Sequence, residues 1–233
     1  MTSRIWKKYA DSSAGSISEV LFVADVESNY HVRSTPAPDW HRLQSSLGHA
    51  LRNNLSATGI GYDQTLFDDL ETMDLSRYKV IIFQNPSVLT EKRIGLLRKK
   101  VLKSGRFIIW GIASGTILNG KYTGKAYEFP AGDYTPILPD DPDELTADFL
   151  RETIRRAGVH IYAPTCSQWA SEEFLLLNRG SDAEAGDLKV SLPKDASQVT
   201  DLYSGKVIEV RDRKFTDRFA APETKLYRIE GEV

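Results

Sequence analysis

The first stretch that could carry chemistry is Gly111-Ile112-Ala113-Ser114-Gly115, which follows an apolar run ending at Trp110. It has the shape of the G-x-nucleophile-x-G turn, in which two glycines let a strand bend sharply into a helix and present an attacking side chain. Alanine holds the nucleophile's place here. A methyl group can neither attack an acyl carbon nor form a thioester, and Ser114 is one position off, where a strand end points its side chain the other way. The better reading is a glycine-lined turn at the carboxyl edge of a sheet. A second stretch, Asp25-Val26-Glu27-Ser28-Asn29-Tyr30-His31, also follows an apolar run. Asp25, Glu27 and Ser28 fall at the carboxyl end of a predicted central strand, where open α/β sheets place their ligands. With Tyr30, Trp110, Ser114 and His160 they make up the candidate ligand or interface set, suited to a small polar ligand such as a sugar. The competing reading is that they cap the next loop or face another domain.

Other constellations are weaker. Cys166 with His160 would give a thiol nucleophile only if the imidazole reached the sulfur, and nothing beside Cys166 would lower its pKa. His31, His41, His49 and His160 form no i, i+4 pair and no H-E-x-x-H, so no metal site is expected. Glycoside hydrolysis needs two acids at a fixed separation on rigid strands. Adjacent acids such as Asp68-Asp69 point to opposite faces of a strand, and Asp140-Asp141 belongs to a helix start. No G-x-G-x-x-G or G-K-[ST] is present, so no nucleotide cofactor is expected.

These residues sit in a chain of 233, of which 41% are hydrophobic and 27% charged, a balance able to bury a core. Thirty basic against 32 acidic residues give a net charge of -2 and no electrostatic reason to expect nucleic acid or an anionic membrane as partner. One cysteine excludes an internal disulfide framework and a multi-thiolate zinc site, and fits a reducing, cytoplasmic compartment. The first fifteen residues hold no apolar run that could serve as a signal peptide. The length falls short of the ~250 residues typical of a (β/α)8 barrel.

The elements that would position the candidates follow from periodicity. Residues 1–16 read as a polar leader. The runs 20–25, 78–83 and 106–110 are apolar but for Asp25, Lys79 and Arg106, as strands buried on both faces are, and 62–69 is strand-like. Between them Asp39 caps a predicted helix with Trp40, Leu43, Leu47, Ala50 and Leu51 on one face and Gly59 as its stop. Thr90 caps another whose stripe is Ile94, Leu97 and Val101, with Gly105 as its stop. This order predicts a three-layer α/β domain with a mostly parallel sheet. Residues 111–141 read mainly as loop with at most one short strand. Asp141-Pro142-Asp143-Glu144 reads as a helix start, with Leu145, Phe149 and Ile154 turned inward. From Ala163 onward six short strand-like segments alternate with turns, which predicts a small all-β sandwich. The expected division is 1–16, 17–162 and 163–233.

Two sets of segments match a known family. Val20-Leu21-Phe22-Val23-Ala24-Asp25, Asp74-Leu75-Ser76-Arg77-Tyr78-Lys79-Val80-Ile81-Ile82-Phe83, Leu89-Thr90-Glu91-Lys92-Arg93 and Gly105-Arg106-Phe107-Ile108-Ile109-Trp110 resemble the glutamine-amidotransferase-like domain that follows the catalytic barrel in some multidomain glycoside hydrolases, and are similar to the β-galactosidase trimerisation domain. Ala157–Tyr162, Phe174–Leu177, Lys189–Pro193, Val199–Gly205 and Glu223–Tyr227 resemble the small C-terminal β domain of the same enzymes. The resemblance implies a flavodoxin-like or amidotransferase-like three-layer domain followed by a β-sandwich. It also implies that the first domain is non-catalytic, in keeping with Ala113, and contributes to trimer contacts. Two departures stand out: the catalytic barrel with its pair of acids is missing, and the 111–141 region looks shorter than its counterpart.

The expected role is therefore a non-catalytic accessory unit in carbohydrate metabolism. It would assemble with itself, a trimer included, or with a separate catalytic barrel. Trp6, Tyr30, Trp40, Tyr122, Tyr127 and Tyr134, expected to be exposed, are the candidate interface anchors. The alternatives are a free-standing hydrolase or transferase acting near Asp25, Glu27, Ser114 and His160, and a carbohydrate-binding protein.

Overall fold

A computed structural model describes residues 9, 15–32, 48, 50–103, 105–111, 114–139, 141–181 and 183–231. The chain forms two compact units. One runs from Glu19 to Leu55 and from Tyr62 to Val159; the other takes the described residues up to Ser18, Ser56–Gly61 and everything from His160 onward. Asp39, Trp40, Leu43 and Leu47 of the expected first helix, and the leader apart from Tyr9, Gly15 and Ser16, lie outside the described residues.

The α/β unit contains β1 (Val20–Ala24), β2 (Asp63–Leu66), β3 (Val80–Phe83), β4 (Val88–Leu89), β5 (Phe107–Trp110), β6 (Ile117–Leu118), β7 (Lys121–Tyr122) and β8 (Thr135–Ile137). Its main sheet has the order β2-β1-β3-β5-β8 with every neighbour parallel. The three central strands are apolar at almost every position because both faces are covered: Val20–Val23, Val80–Phe83 and Ile108–Trp110 are at most 1% exposed. Leu21, Val23, Ile81, Phe83, Ile108 and Trp110 share one face and one core with Leu97 and Val101. The chain leaves β1 toward β2 on one side and continues to β3 on the other. The strand order therefore reverses between β1 and β3, and their carboxyl ends form the crevice where doubly wound sheets bind ligands.

The helix expected after Thr90 is present. Thr90 Oγ1 accepts from Arg93 N at 3.3 Å, and an α-helical stretch, Glu91–Leu96, passes into a π-helical turn, Leu97–Val101. Four expectations need correction. A helix, Val26–Val32, replaces the turn after β1. It carries Val26 and Tyr30 outward, so no apolar stripe marked it. β2 stops at Leu66, and Phe67–Glu71 is a 3₁₀ turn that buries Phe67 and Leu70, one 3₁₀ repeat apart. The stretch 111–141 holds three short strands. β6 and β7 form a hairpin around Asn119-Gly120, both in the left-handed region, while β8 completes the main sheet at an edge where Pro136 is tolerated. Finally, Pro142–Glu144 is only a 3₁₀ turn. The helix runs Ala147–Arg156 from a Thr146 cap whose hydroxyl accepts from Phe149 N at 3.2 Å. That phase buries Leu150, Thr153 and Ile154 and leaves Phe149 37% exposed.

The second unit is antiparallel. β9 (Ser167–Ala170), β10 (Phe174–Arg179), β12 (Gln198–Asp201), β13 (Val207–Glu209) and β15 (Glu223–Glu230) form a sheet in the order β13-β12-β15-β10-β9, and β11 (Gly186–Ser191) pairs with β14 (Lys214–Phe219). Leu175, Leu177, Val199 and Tyr227 from the larger sheet share a core with Leu188, Val190, Phe215 and Phe219 from the smaller one. A polar tie crosses this core. Asp217 on β14 accepts from Lys206 Nζ at 2.6 Å and Arg218 N at 3.0 Å through Oδ1, and from Lys225 Nζ at 2.7 Å and Tyr227 OH at 2.9 Å through Oδ2. Burial alone would raise the Asp217 carboxyl, but the hydrogen bonds from Lys206, Lys225 and Tyr227 leave it below its ordinary value. No helix among the described residues is long and apolar enough to cross a membrane.

Candidate functional site

Asp25 lies one residue beyond β1 and is buried. Its Oδ2 accepts from the Ser28 hydroxyl, one turn along the following helix, and from Arg93 Nη1 at 3.0 Å. Ser28 Oγ in turn accepts from Val88 N at 2.9 Å, and Arg93 Nη1 also donates to Val88 O at 3.0 Å. The other guanidinium nitrogen reaches Asp68 Oδ1 at 3.0 Å and Glu27 Oε2 at 3.2 Å, and the group lies over the Phe67 ring, 4.4 Å from its centroid. Burial works against the Arg93 cation, but Asp25 and Asp68 outweigh it and hold the guanidinium above its ordinary pKa. Arg93 is the site residue that sequence reading missed. It occupies the first turn of a helix that starts beyond β3, where connections return to the carboxyl edge of a parallel sheet. That placement, facing an acid just past β1, was the available signal.

On the β3 side of the crevice, Asn85 Nδ2 donates to Asn29 Oδ1 at 2.9 Å. Asp25 Oδ1, Asn85 Oδ1 and Ser87 Oγ are buried without a hydrogen-bond partner among the described residues. The remaining candidates scatter. Glu27 is half-exposed and Tyr30 is 70% exposed on the outer side of its helix. Trp110 is fully buried, stacked between Phe83 at 4.6 Å and Phe129 at 4.0 Å. Ser114 Oγ donates to Gly111 O at 2.6 Å. His160 belongs to the β unit, where its Nε2 donates to Ser191 O at 2.9 Å and its ring meets Tyr162 edge to face. Of the proposed anchors, Tyr122 is 79% exposed, Tyr127 OH accepts from Arg98, and Tyr134 is buried with its hydroxyl on Pro130 O, a correction to its expected exposure. Trp6 and Trp40 lie outside the described residues.

Packing accounts for the elbow's glycines. A Cβ on Gly111 would stand 1.8 Å from Gln84 O, and one on Gly115, at φ +66°, would meet Tyr127 Cβ at 2.4 Å. Both positions demand glycine whether or not anything reacts there. Ala113 lies outside the described residues. Among the described groups none is an activated nucleophile. Ser28 donates to Asp25, whose carboxylate oxygen is already paired with the Arg93 guanidinium and is thereby a weak base for a serine. Cys166 is buried, and burial pushes its thiol up, the reverse of what a reactive cysteine shows. No group of three or more His, Cys, Asp or Glu side chains among the described residues is placed to hold a metal ion.

The fold is thus a doubly wound α/β unit with an all-parallel main sheet, joined to a two-sheet antiparallel unit. No family model and no curated protein matches the sequence. Solved structures do share the fold. A β-galactosidase from Bacillus circulans sp. alkalophilus matches 94% of this chain with 42% of its own, at TM-score 0.67 and 14% identity. One from the Antarctic haloarchaeon Halorubrum lacusprofundi matches 97% with 42% of its own, at TM-score 0.59 and 16% identity. A rhamnosidase from Novosphingobium sp. PP1Y matches 95% with 23% of its own, at TM-score 0.57 and 12% identity. This chain therefore corresponds to about two fifths, or less, of each of these larger proteins. The resemblance to non-barrel regions of multidomain glycoside hydrolases holds at the level of fold. Since one fold recurs under two differently named activities, it does not itself specify a substrate.

Proposed function

We propose that this chain is a non-catalytic accessory and assembly unit of the glycoside-hydrolase kind, acting as a homo-oligomer, a trimer included, or beside a separate catalytic barrel. The observation that carries the reading is the state of the one crevice where a doubly wound sheet would do chemistry. Asp25 is held by Arg93 and Ser28, and Ser114 is bonded to its own turn. Alanine stands at residue 113. The fold matches support it, because the likeness covers nearly all of this chain and a minor part of theirs. Tyr30 and Tyr122, both strongly exposed on the α/β unit, are the anchors we assign to assembly contacts.

The test is turnover by the purified chain on a panel of nitrophenyl glycosides and on glutamine. The accessory reading predicts no turnover above the buffer rate. Turnover that disappears in Asp25→Asn or Glu27→Gln would overturn it in favour of a small-substrate hydrolase at this crevice.

A further inference from the structure

Self-assembly needs a surface, and the α/β unit exposes two unlike patches past the carboxyl ends of its strands. The first surrounds the exit of β1. Val26 and Tyr30, four residues apart on the helix Val26–Val32, and Leu66, in register with Ala24 at the end of β2, are 46%, 70% and 45% exposed. Beside them Glu27 Oε2 and Asp68 Oδ1 converge on one nitrogen of Arg93, at 3.2 and 3.0 Å, while Asp25 takes the other. Three carboxylates around one guanidinium leave this patch negative. The second patch is the β6–β7 hairpin. Residues 119–126 are exposed throughout and contain Lys121, Tyr122, Lys125 and no acid. Val88 N, on β4, donates to Ser28 Oγ at 2.9 Å, and β6 and then β7 pair outward from β4. The hairpin's outer strand therefore lies two strand spacings, about 10 Å, from that tie. Of the seven large apolar side chains left exposed among the described residues, four belong to these two patches.

We infer that the two patches bind each other across copies of this chain: the β6–β7 hairpin of one docks against the helix Val26–Val32 and Leu66 of the next. Tyr122 supplies the aromatic body of the contact, and Lys121 and Lys125 the counter-charge for Glu27 and Asp68. Charge selects this pairing over its alternatives. Two first patches face to face would set carboxylates against carboxylates, and two hairpins would set lysines against lysines, so a two-fold contact through either is repelled. A head-to-tail contact instead matches apolar with apolar groups and opposite charges with each other. Such a contact is heterologous, and it repeats until a ring closes or a filament grows. The inference rests on the self-assembly half of the proposed function and adds which surfaces meet.

Charge reversal read by sedimentation equilibrium of the full chain tests it. One variant carries Lys121→Glu and Lys125→Glu, the other Glu27→Lys and Asp68→Lys, and thermal melts check that each is folded. The wild type assembles, and each variant alone dissociates at a concentration at least about tenfold higher, because its two patches now repel. An equimolar mixture of the two variants regains the assembly, since each one's reversed patch meets the other's native one. Salt weakens the wild-type assembly, as it does any contact steered by exposed charges. Should the Glu27 and Asp68 variant fail to fold, the lysine variant decides alone, because its two positions are exposed on the hairpin. A wild type that assembles while the folded lysine variant assembles equally well overturns this inference and leaves self-assembly standing. Two folded variants that stay single when mixed overturn it as well. A wild type that is a single chain at every concentration overturns both.

Discussion

Two buried aspartates, one in each unit, use their oxygens in opposite ways. Asp217 spends both on four donors, two of them lysines, and ties one β-sheet to the other. Asp25 spends one on Arg93 and Ser28 and leaves the other unmatched at the reversal point of the parallel sheet. A carboxylate with every lone pair matched acts as a fastener, whose value lies in the cost of breaking it. A half-matched one at a ligand crevice has capacity left for something else. The same side chain therefore carries structure in one unit and a candidate site in the other.

The largest effect that would sharpen this contrast is Asp217→Ala. It strands the buried Lys225 ammonium and should cost about 3–5 kcal/mol, read as a lower urea midpoint at unchanged slope. Removing Asp25 as Asp25→Asn should cost clearly less, because Arg93 keeps Asp68 and Glu27; equal losses would erase the distinction. Next in size is Arg93→Met, which leaves Asp25 buried beside Ser28 alone and should cost about 3 kcal/mol by the same measurement.

Acid gives a third comparison. A carboxyl whose pKa is lower in the folded than in the unfolded chain adds stability that is fully present above the unfolded value, about 4, and is lost as pH falls through the folded value. The gap in melting temperature between wild type and Asp217→Asn should accordingly be constant at neutral pH and close below about pH 4. A constant gap down to the acid transition would show that the tie does not depend on ionised Asp217. The smallest effect is Tyr227→Phe, which removes one donor of four and should cost about 1 kcal/mol in urea melts. Burial together with Asp217 drives the Tyr227 hydroxyl far above its ordinary pKa, so it remains a donor at every working pH.

How far these features were legible depended on whether a pattern had room to repeat. The apolar runs of β1, β3 and β5 were readable because both of their faces are covered, and the Thr90 cap because a stripe of apolar residues follows it. β6 and β7 have two residues each, too few for a period, and only the Asn119-Gly120 turn marked them. β9 was hidden by an inversion: Gln168 points inward while Trp169 is partly exposed, opposite to what polarity suggests. The Asp141-Pro142 signal was genuine, yet it starts a 3₁₀ turn, and the helix proper begins at Ala147 after a second cap. Asp25 was found from its position past a central strand. Arg93 and Asp68 were not, because a guanidinium that crosses from a helix to two loops leaves no local spacing. Asp217 was equally silent, since its partners Lys206, Lys225 and Tyr227 meet it only through the pairing of strands.

The claim that this chain works by assembly rather than by catalysis is tested most directly by its mass in solution. Sedimentation equilibrium across the micromolar range should give a whole multiple, two or more, of the 26.1 kDa chain. Replacing Tyr30 and Tyr122 together with serine should shift the population toward single chains. A lone 26.1 kDa species throughout that range would contradict self-assembly.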